Sequence, residues 1–230
     1  MKTLLLPIIF LMPTCAEAND AYQRLQKSVW RQEAAKAGVD VATLYSIAVA
    51  ESGLRWADGT YRPWPWTLNI NDGKGIVKNG ARRYSSKVEA QSAVNGFVKS
   101  GITNIDIGLM QVNLFWHGDR VKKADELLEP STNITVAAQY LRELKTANLM
   151  RKVGNYHAPT NLSRALGYAN RVKTIESQFL DNSYRAVKPK IVVNSAFNAK
   201  SHQENTFPKA TDFNLNQALV LSGLPSQNNL

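Results

Sequence analysis

One glutamate lies where a carboxylate could act as a general acid. Four apolar residues recur at helical spacing, and Glu51 takes the next position on the same face; they are Val41, Leu44, Ile47 and Ala48. Beside an apolar face the anionic form of a carboxylate loses solvation, so its pKa rises. The carbonyls at the end of a helix also disfavour a negative charge. The position therefore predicts a proton donor, the state that a general acid requires.

The same spacing permits a simpler interpretation of Glu51. At the margin of the apolar face, its side chain could reach solvent or pair with an arginine such as Arg55. Spacing alone leaves both interpretations open.

Helix signals indicate which elements position this residue. Asp40 is a candidate N-cap and Gly53 a candidate stop for the helix that carries Glu51. Four further helices are predicted: from Asp20 to Gly38, from a capping box at Ser86 and Glu89 toward Gly101, from Asn133 through Leu144, and from Asn161 through Phe179.

One small sheet is predicted between these helices. Residues 66–70 and 76–78 flank a glycine-containing turn and favour a hairpin, while Ile105 and Ile107 alternate with polar neighbours. The sequence therefore predicts a mainly α domain with one small antiparallel sheet.

The two ends of the chain differ from its centre. Residues 1–18 carry a lysine, an apolar run and an Ala-Glu-Ala site, which is typical of a secretory signal cut after Ala18. Cys15 could instead carry a lipid, although the residues before it match that modification poorly. Residues 19–184 form the predicted domain, and residues 185–230, rich in Asn, Lys, Ser and Pro, are predicted to be a disordered tail.

The charge narrows the range of partners. The net charge is +10, and for an exported, periplasmic protein this favours an anionic wall polymer or lipid surface over nucleic acid. A charge that merely keeps the protein soluble fits equally well. No transmembrane segment is expected in the mature chain.

No cofactor or metal is expected. His117 and His157 lack ligand-like companions at metal-binding spacing. No phosphate loop, Cys/His pair or Ser/His/Asp pattern is present in the sequence.

Three short motifs, taken together, resemble a known family. They are Glu51-Ser52-Gly53, the GLMQVN segment at residues 108–113 and the NYHAP segment at residues 155–159. In order and spacing they resemble the lytic transglycosylases of the soluble type, and the resemblance covers about residues 20 to 180. It implies a lysozyme-like α+β fold in which the small sheet flanks a sugar-binding groove.

Longer phrases resemble a specialised subgroup of that family. The segments YRPWPWTLNINDGKG, GITNIDIGLMQVN and ELLEPSTNITVAAQYL are similar to the enzymes attached to type IV secretion and conjugative transfer systems. This resemblance implies local opening of the wall for an assembling machine, and the tail is a candidate contact with that apparatus.

The family resemblance also implies a reaction. One glutamate protonates the β-1,4 glycosidic oxygen between N-acetylmuramic acid and N-acetylglucosamine, the substrate's N-acetyl group stabilises the cationic centre, and the muramic acid C6 hydroxyl attacks to give a 1,6-anhydro end. Glu51 would be the acid and then the base. Five residues would bind or line the substrate: Ser52, Met110, Gln111, Asn113 and Tyr156, the last with a hydroxyl that orients the glutamate.

Two residues depart from the family pattern, and several aromatic residues are candidate sugar platforms. His157 replaces the family's asparagine and Pro159 its glycine, so the backbone after Tyr156 cannot follow an identical path. Tyr61, Trp64 and Trp66 could stack on sugar rings or simply pack their loop.

Two other functions remain open. A hydrolytic lysozyme would need a second carboxylate or a held water, for which Asp58 and Asp106 are available. A wall-binding scaffold without turnover would use the same groove and charge.

Overall fold

The computed structural model describes residues 25–55 and 61–181. Within these ranges the helices are α1 Val29–Ala37, α2 Val41–Ser52, α3 Lys87–Lys99, α4 Leu114–His117, α5 Pro130–Glu143, α6 Leu149–His157 and α7 Leu162–Leu180. The strands are β1 Gly53–Arg55, β2 Tyr61–Pro63, β3 Thr67–Ile70, β4 Gly80–Arg83, β5 Ile105–Ile107 and β6 Val112–Asn113. Two 3₁₀ turns cover Gly118–Arg120 and Ala124–Leu128. The prediction of a mainly α fold with a small antiparallel sheet is confirmed.

Helix α2 runs through the centre of the core. It is buried almost all round, which is typical of a helix enclosed by other elements. It packs against α1, α7 and the short strands β1 and β2. The Asp40 side chain accepts a hydrogen bond from the Ala42 amide at 2.8 Å, and Gly53 caps the other end, as predicted. Glu51 therefore lies in the last turn of a buried helix.

The main sheet has the strand order β4-β3-β5-β6, and every neighbouring pair is antiparallel. Its register places four residues side by side in one row across the sheet: Ala81, Asn69, Asp106 and Asn113. The adjacent positions Leu68, Ile70, Ile105 and Ile107 are buried. One face of the sheet thus joins the core, and the other presents polar side chains.

The predicted hairpin starts correctly but returns later than expected. Its second strand is Gly80–Arg83 and not residues 76–78. The Asn79 side chain accepts a hydrogen bond from the Gly73 amide at 2.6 Å, and Val77 closes a turn onto Lys74. These local bonds hold residues 71–79 as a connection, so pairing resumes only at Gly80.

Helix starts were predicted unevenly. Asn161 and Ser86 cap α7 and α3 as expected, because their side chains accept from the amides of Arg164 and Glu89. Helix α5, by contrast, begins at Pro130, and Asn133 lies one turn inside it. Helix α1 ends at Gly38 as predicted, whereas Asp20 lies outside the described residues.

Helix α6 was not predicted, and it carries the third motif in its last turns. The predicted signal peptide and the tail after residue 184 also lie outside the described residues. Across residues 25–55 and 61–181, no helix is both long and apolar enough to cross a membrane.

Candidate active site

A groove of about 840 Å³ runs over the polar face of the sheet. Its floor includes the sheet residues Asn69, Asp106 and Asn113, and its walls come from α5, the end of α6 and the edge strand β4. Glu51 opens into this groove from the end of α2. The fold therefore brings the residues of all three motifs to one cleft.

The Glu51 carboxyl group is poorly solvated. Its side chain is 14% exposed, and its buried Oε1 has no hydrogen-bond partner of good geometry. Burial raises the pKa of Glu51 from 4.5 to about 7; the Tyr168 hydroxyl and the charge of Arg171 oppose this rise, and the charge of Asp106 adds to it. Close to half of the Glu51 side chains are then protonated at neutral pH.

Glu51 has no ion pair with Arg55 within the described residues, so the pairing considered from the sequence is absent there. The arginine whose charge lowers the pKa of Glu51 is Arg171 of α7. Its guanidinium donates a hydrogen bond to the Ala50 carbonyl at 2.7 Å. Arg171 thus binds the backbone at the end of α2 and leaves the carboxyl group of Glu51 unpaired.

Two tyrosines approach the site from different helices. The Tyr156 hydroxyl donates a hydrogen bond to the Met110 carbonyl at 2.7 Å. Tyr168 of α7, which was not predicted, lowers the pKa of Glu51 through its hydroxyl, although that hydroxyl has no hydrogen bond of good geometry. Tyr156 ties α6 to the GLMQ segment, and it also lies near Glu51, since the charge of Glu51 contributes to the raised pKa of Tyr156.

His157 contacts both Glu51 and Tyr168. Its Nδ1 is 3.9 Å from Oε1 of Glu51, and its ring stacks on Tyr168 with centroids 4.6 Å apart and planes 7° from parallel. Burial, followed by the charges of Arg171 and Arg164, lowers the pKa of His157. This shift favours the neutral imidazole.

The GLMQ segment makes a tight turn that orients Gln111. Gly108 has φ +82° and Gln111 φ +47°, both in the left-handed region. The Gln111 Nε2 donates to the carbonyls of Thr67 at 3.0 Å and Gly108 at 2.8 Å, and the residue lines the groove. Its side chain is held in place before any ligand binds.

Ser52 and Met110 do not line the groove, contrary to the prediction. Both are fully buried. The Ser52 hydroxyl donates to the Leu109 carbonyl at 2.7 Å and accepts from the Trp64 amide at 3.2 Å. The Met110 amide donates to the Asn133 side chain, and its carbonyl accepts from Tyr156. The polar groups of both residues are hydrogen-bonded within the protein, so both residues stabilise the backbone around the site.

Asp106 is fixed at the centre of the groove floor. Its carboxylate accepts hydrogen bonds from the side-chain amides of Asn69 and Asn71 at 2.9 Å each, and of Asn113 at 2.7 Å. Three amide donors on one carboxylate hold its position. Asn113 therefore lines the groove with its amide already engaged.

The exposed aromatic residue in the groove is Trp116, which sequence reasoning missed. It is 70% exposed and lines the groove next to Phe115, with the two rings edge to face at 4.8 Å. Trp64 and Trp66, which were predicted as possible platforms, are buried against each other. The sequence does contain a signal for this residue. Phe115 and Trp116 form an aromatic pair shortly after the GLMQVN segment, and they belong to no apolar periodicity.

Within the described ranges, no group of three His, Cys, Asp or Glu side chains is placed to hold a metal ion. The charged or titratable side chains that line the groove are Glu51, Arg83, Asp106, His117, Arg120, Tyr140, Glu143, Tyr156 and His157.

The mainly α fold with a small antiparallel sheet beside a polar groove is lysozyme-like. Residues 85–182 match the family model described as the transglycosylase SLT domain. The match includes the GLMQVN segment and Tyr156 and begins after Glu51. The match indicates similarity to the soluble lytic transglycosylase family. Enzymes of that family are lyases that act on peptidoglycan outside the cytoplasm. Searches of curated proteins and of solved structures gave no significant match.

Proposed function

We propose that the protein is a lytic transglycosylase that cleaves the β-1,4 bond between N-acetylmuramic acid and N-acetylglucosamine and leaves a 1,6-anhydro end. The observation that carries this proposal is the poorly solvated carboxyl group of Glu51, with its raised pKa, opening into a groove of about 840 Å³. The family match supplies the substrate class.

In the first step, Glu51 donates its proton to the glycosidic oxygen while the bond from that oxygen to the muramic acid C1 breaks. The leaving N-acetylglucosamine takes the proton, and the substrate's own N-acetyl oxygen stabilises the positive C1. Burial of Glu51 favours this step because a protonated carboxyl group is available at neutral pH.

In the second step, the Glu51 carboxylate takes the proton of the muramic acid C6 hydroxyl while its oxygen bonds to C1. Glu51 is protonated again and no water is consumed. One carboxyl group suffices for both steps, unlike the two carboxyl groups of most glycosidases. Tyr168 acts as a positioning residue, since its hydroxyl lowers the pKa of Glu51.

The groove residues supply binding. Gln111, Asn113 and the backbone of the GLMQ segment offer polar groups to the sugars, and Trp116 offers a flat apolar surface for a ring face. Tyr156 contributes by holding the GLMQ segment through Met110.

A hydrolytic lysozyme of the same fold would need a carboxylate to activate water. Asp106 is held by three amide donors, which leaves it poorly placed to accept a proton from water. Asp58, the other acid considered, lies outside the described residues.

The wider role of the protein is part of the same proposal. Export by the signal peptide at residues 1–18, action in the periplasm and contact of the tail at 185–230 with a secretion or conjugation apparatus are supported by the sequence patterns alone. Local opening of the wall for such a machine fits a single catalytic domain with a separate tail.

The test is mass spectrometry of soluble fragments released from purified peptidoglycan, with the Glu51→Gln protein beside the wild type. We expect 1,6-anhydro ends from the wild type and at least about a hundredfold less product from Glu51→Gln, because a general acid contributes that much or more. Reducing ends would show a lysozyme instead. No product from either protein, with binding retained, would show a scaffold.

A further inference from the structure

One arginine on the groove wall has no anionic partner among residues 25–55 and 61–181. Arg83 is the last residue of β4, in register with Thr67, and it lines the groove. Its Nη2 makes a long hydrogen bond of 3.4 Å to the Gly53 carbonyl. No carboxylate of the described residues lies within ion-pair distance of its guanidinium.

The other charges around Arg83 are already satisfied. Arg120, on the opposite wall, donates to both carboxylate oxygens of Glu143, at 2.9 and 2.7 Å. Asp106 is held by its three amides. Arg83 is exposed, yet partial burial of its guanidinium lowers its pKa, and no carboxylate of the described residues offsets this effect. The wall therefore holds a cation that an anionic ligand would stabilise.

The proposed substrate has anions at one kind of position. Its sugars are neutral, because their amino groups are acetylated and the lactyl carboxyl group of muramic acid is joined to the peptide stem by an amide bond. The stem itself carries free carboxylates. A guanidinium binds a carboxylate through two parallel hydrogen bonds, a geometry that sugar hydroxyls do not match.

We propose that Arg83 forms a subsite for a peptide-stem carboxylate, so that the groove prefers glycan strands that carry stems. The proposal rests on peptidoglycan as the substrate of this site. Arg83 then sets specificity, and Glu51 performs the chemistry.

The experiment measures binding in the Glu51→Gln background, so that the ligand survives. Two ligands are compared by calorimetry: a peptidoglycan tetrasaccharide with stems and the same tetrasaccharide after its stem carboxylates have been converted to neutral amides. Charged hydrogen bonds of this kind support an affinity ratio of about tenfold in favour of the free carboxylates, equal to about 1.4 kcal/mol. With Arg83→Gln added, we expect the ratio to fall to about one, and with Arg83→Lys to fall between the two.

The strand itself offers a matched control. Arg82 adjoins Arg83, but its guanidinium lies over the Phe97 ring at 5.5 Å and donates to the Lys78 carbonyl at 2.9 Å. Because successive residues of a strand point to opposite faces, Arg82→Gln removes the same charge from the other face. We expect it to leave the affinity ratio unchanged.

Two results would overturn the proposal: equal affinity for both ligands, or a preference that survives Arg83→Gln. An equal loss of the preference in Arg82→Gln would also overturn it, since a general field of charge would then explain the effect. Failure of the proposed function is seen separately, as the absence of anhydro products from the wild-type protein, and the binding ratio still decides the role of Arg83.

Discussion

The hydroxyl of Tyr156 lies 2.7 Å from the carbonyl oxygen of Met110 and donates a hydrogen bond to it. This bond joins the last turn of α6 to the GLMQ segment, 46 positions earlier in the chain. Tyr168, one helix later, lowers the pKa of Glu51 through its hydroxyl, and the Glu51 charge in turn affects both tyrosines. Of the two, Tyr156 is therefore the residue that also joins the elements of the groove.

The pH dependence of activity should respond to the neighbours of Glu51 in opposite directions. In the wild type, kcat/KM should fall above pH 7, because Glu51, with a pKa of about 7, loses the proton that it must donate. Tyr168→Phe removes a hydroxyl group that lowers this pKa, so the alkaline limb should move up. Asp106→Asn removes a charge that raises it, so the limb should move down.

The measurement is the rate of anhydro product formation from pH 5 to 9 for the three proteins. Tyr168→Phe should also lower kcat, since a positioning group is lost. Shifts of both variants in the same direction would contradict the electrostatic account of Glu51.

Burial of Glu51 should cost stability in a defined pH window. The folded protein has a pKa of about 7 at this residue and the unfolded chain about 4.5, so the folded state binds more protons between these values. This contribution to stability is therefore lost as the pH rises from 4.5 to 7, by up to about 3 kcal/mol. Glu51→Gln should remove the loss and be more stable than the wild type at pH 8.

Urea unfolding of both proteins at pH 4.5, 6 and 8 checks this prediction. The difference in unfolding free energy between Glu51→Gln and the wild type should grow with pH. A constant difference would mean that Glu51 is solvated as an anion in the folded protein.

Long periodic segments let the sequence predict much of this fold. The apolar spacing before Glu51 correctly placed that residue in the last turn of a helix, because α2 is bounded by a clear cap and a clear stop. The second strand of the hairpin begins later than predicted, because the hydrogen bonds of Asn79 and Val77 lengthen the connection. No local sequence pattern encodes such bonds.

Side-chain direction explains what was missed in the site. Tyr168 lies on the apolar stripe of α7, three residues after Ala165 and four before Val172. A tyrosine at such a position is typical of core packing, so the pattern does not predict that it faces Glu51. Trp64 and Trp66 were candidate platforms by composition, yet tertiary packing buries them and leaves Trp116 exposed. Which of several tryptophans faces a groove is decided by packing and not by local sequence.

Trp116 should contribute to the binding of long glycans. Trp116→Ala removes an exposed ring at the groove, and stacking of this kind supports a rise of about three- to tenfold in KM, with kcat little changed. Trp116→Phe should recover part of the loss. Phe115→Ala is the neighbouring control, since Phe115 is also exposed but does not line the groove.

The measurement is KM on stem-free glycan strands of defined length. A similar rise in KM for Phe115→Ala and Trp116→Ala would show a general effect of α4 on the fold, and would remove the argument for stacking.

Gly108 should be the most sensitive glycine near the site. Its φ is +82°, and a Cβ there would lie 2.5 Å from Nδ2 of Asn133 and 2.6 Å from the Leu127 carbonyl oxygen. The Asn133 amide cannot move away cheaply, because it also donates to the Ile107 carbonyl and its oxygen accepts from the Met110 amide. Gly108→Ala combines backbone strain with this clash and should cost about 3 kcal/mol or more.

Gly75→Ala separates the two causes. Gly75 has φ +59°, but nothing lies within 4 Å of an added Cβ, so only the cost of the left-handed backbone applies, about 1 kcal/mol. Unfolding free energies of both variants in urea give the comparison. An equal loss in the two would show that the contact with Asn133 does not restrict the GLMQ turn. A larger loss in Gly108→Ala, together with lower activity of the folded fraction, is expected, because the same turn sets the side chain of Gln111 and the carbonyl of Met110 that Tyr156 binds.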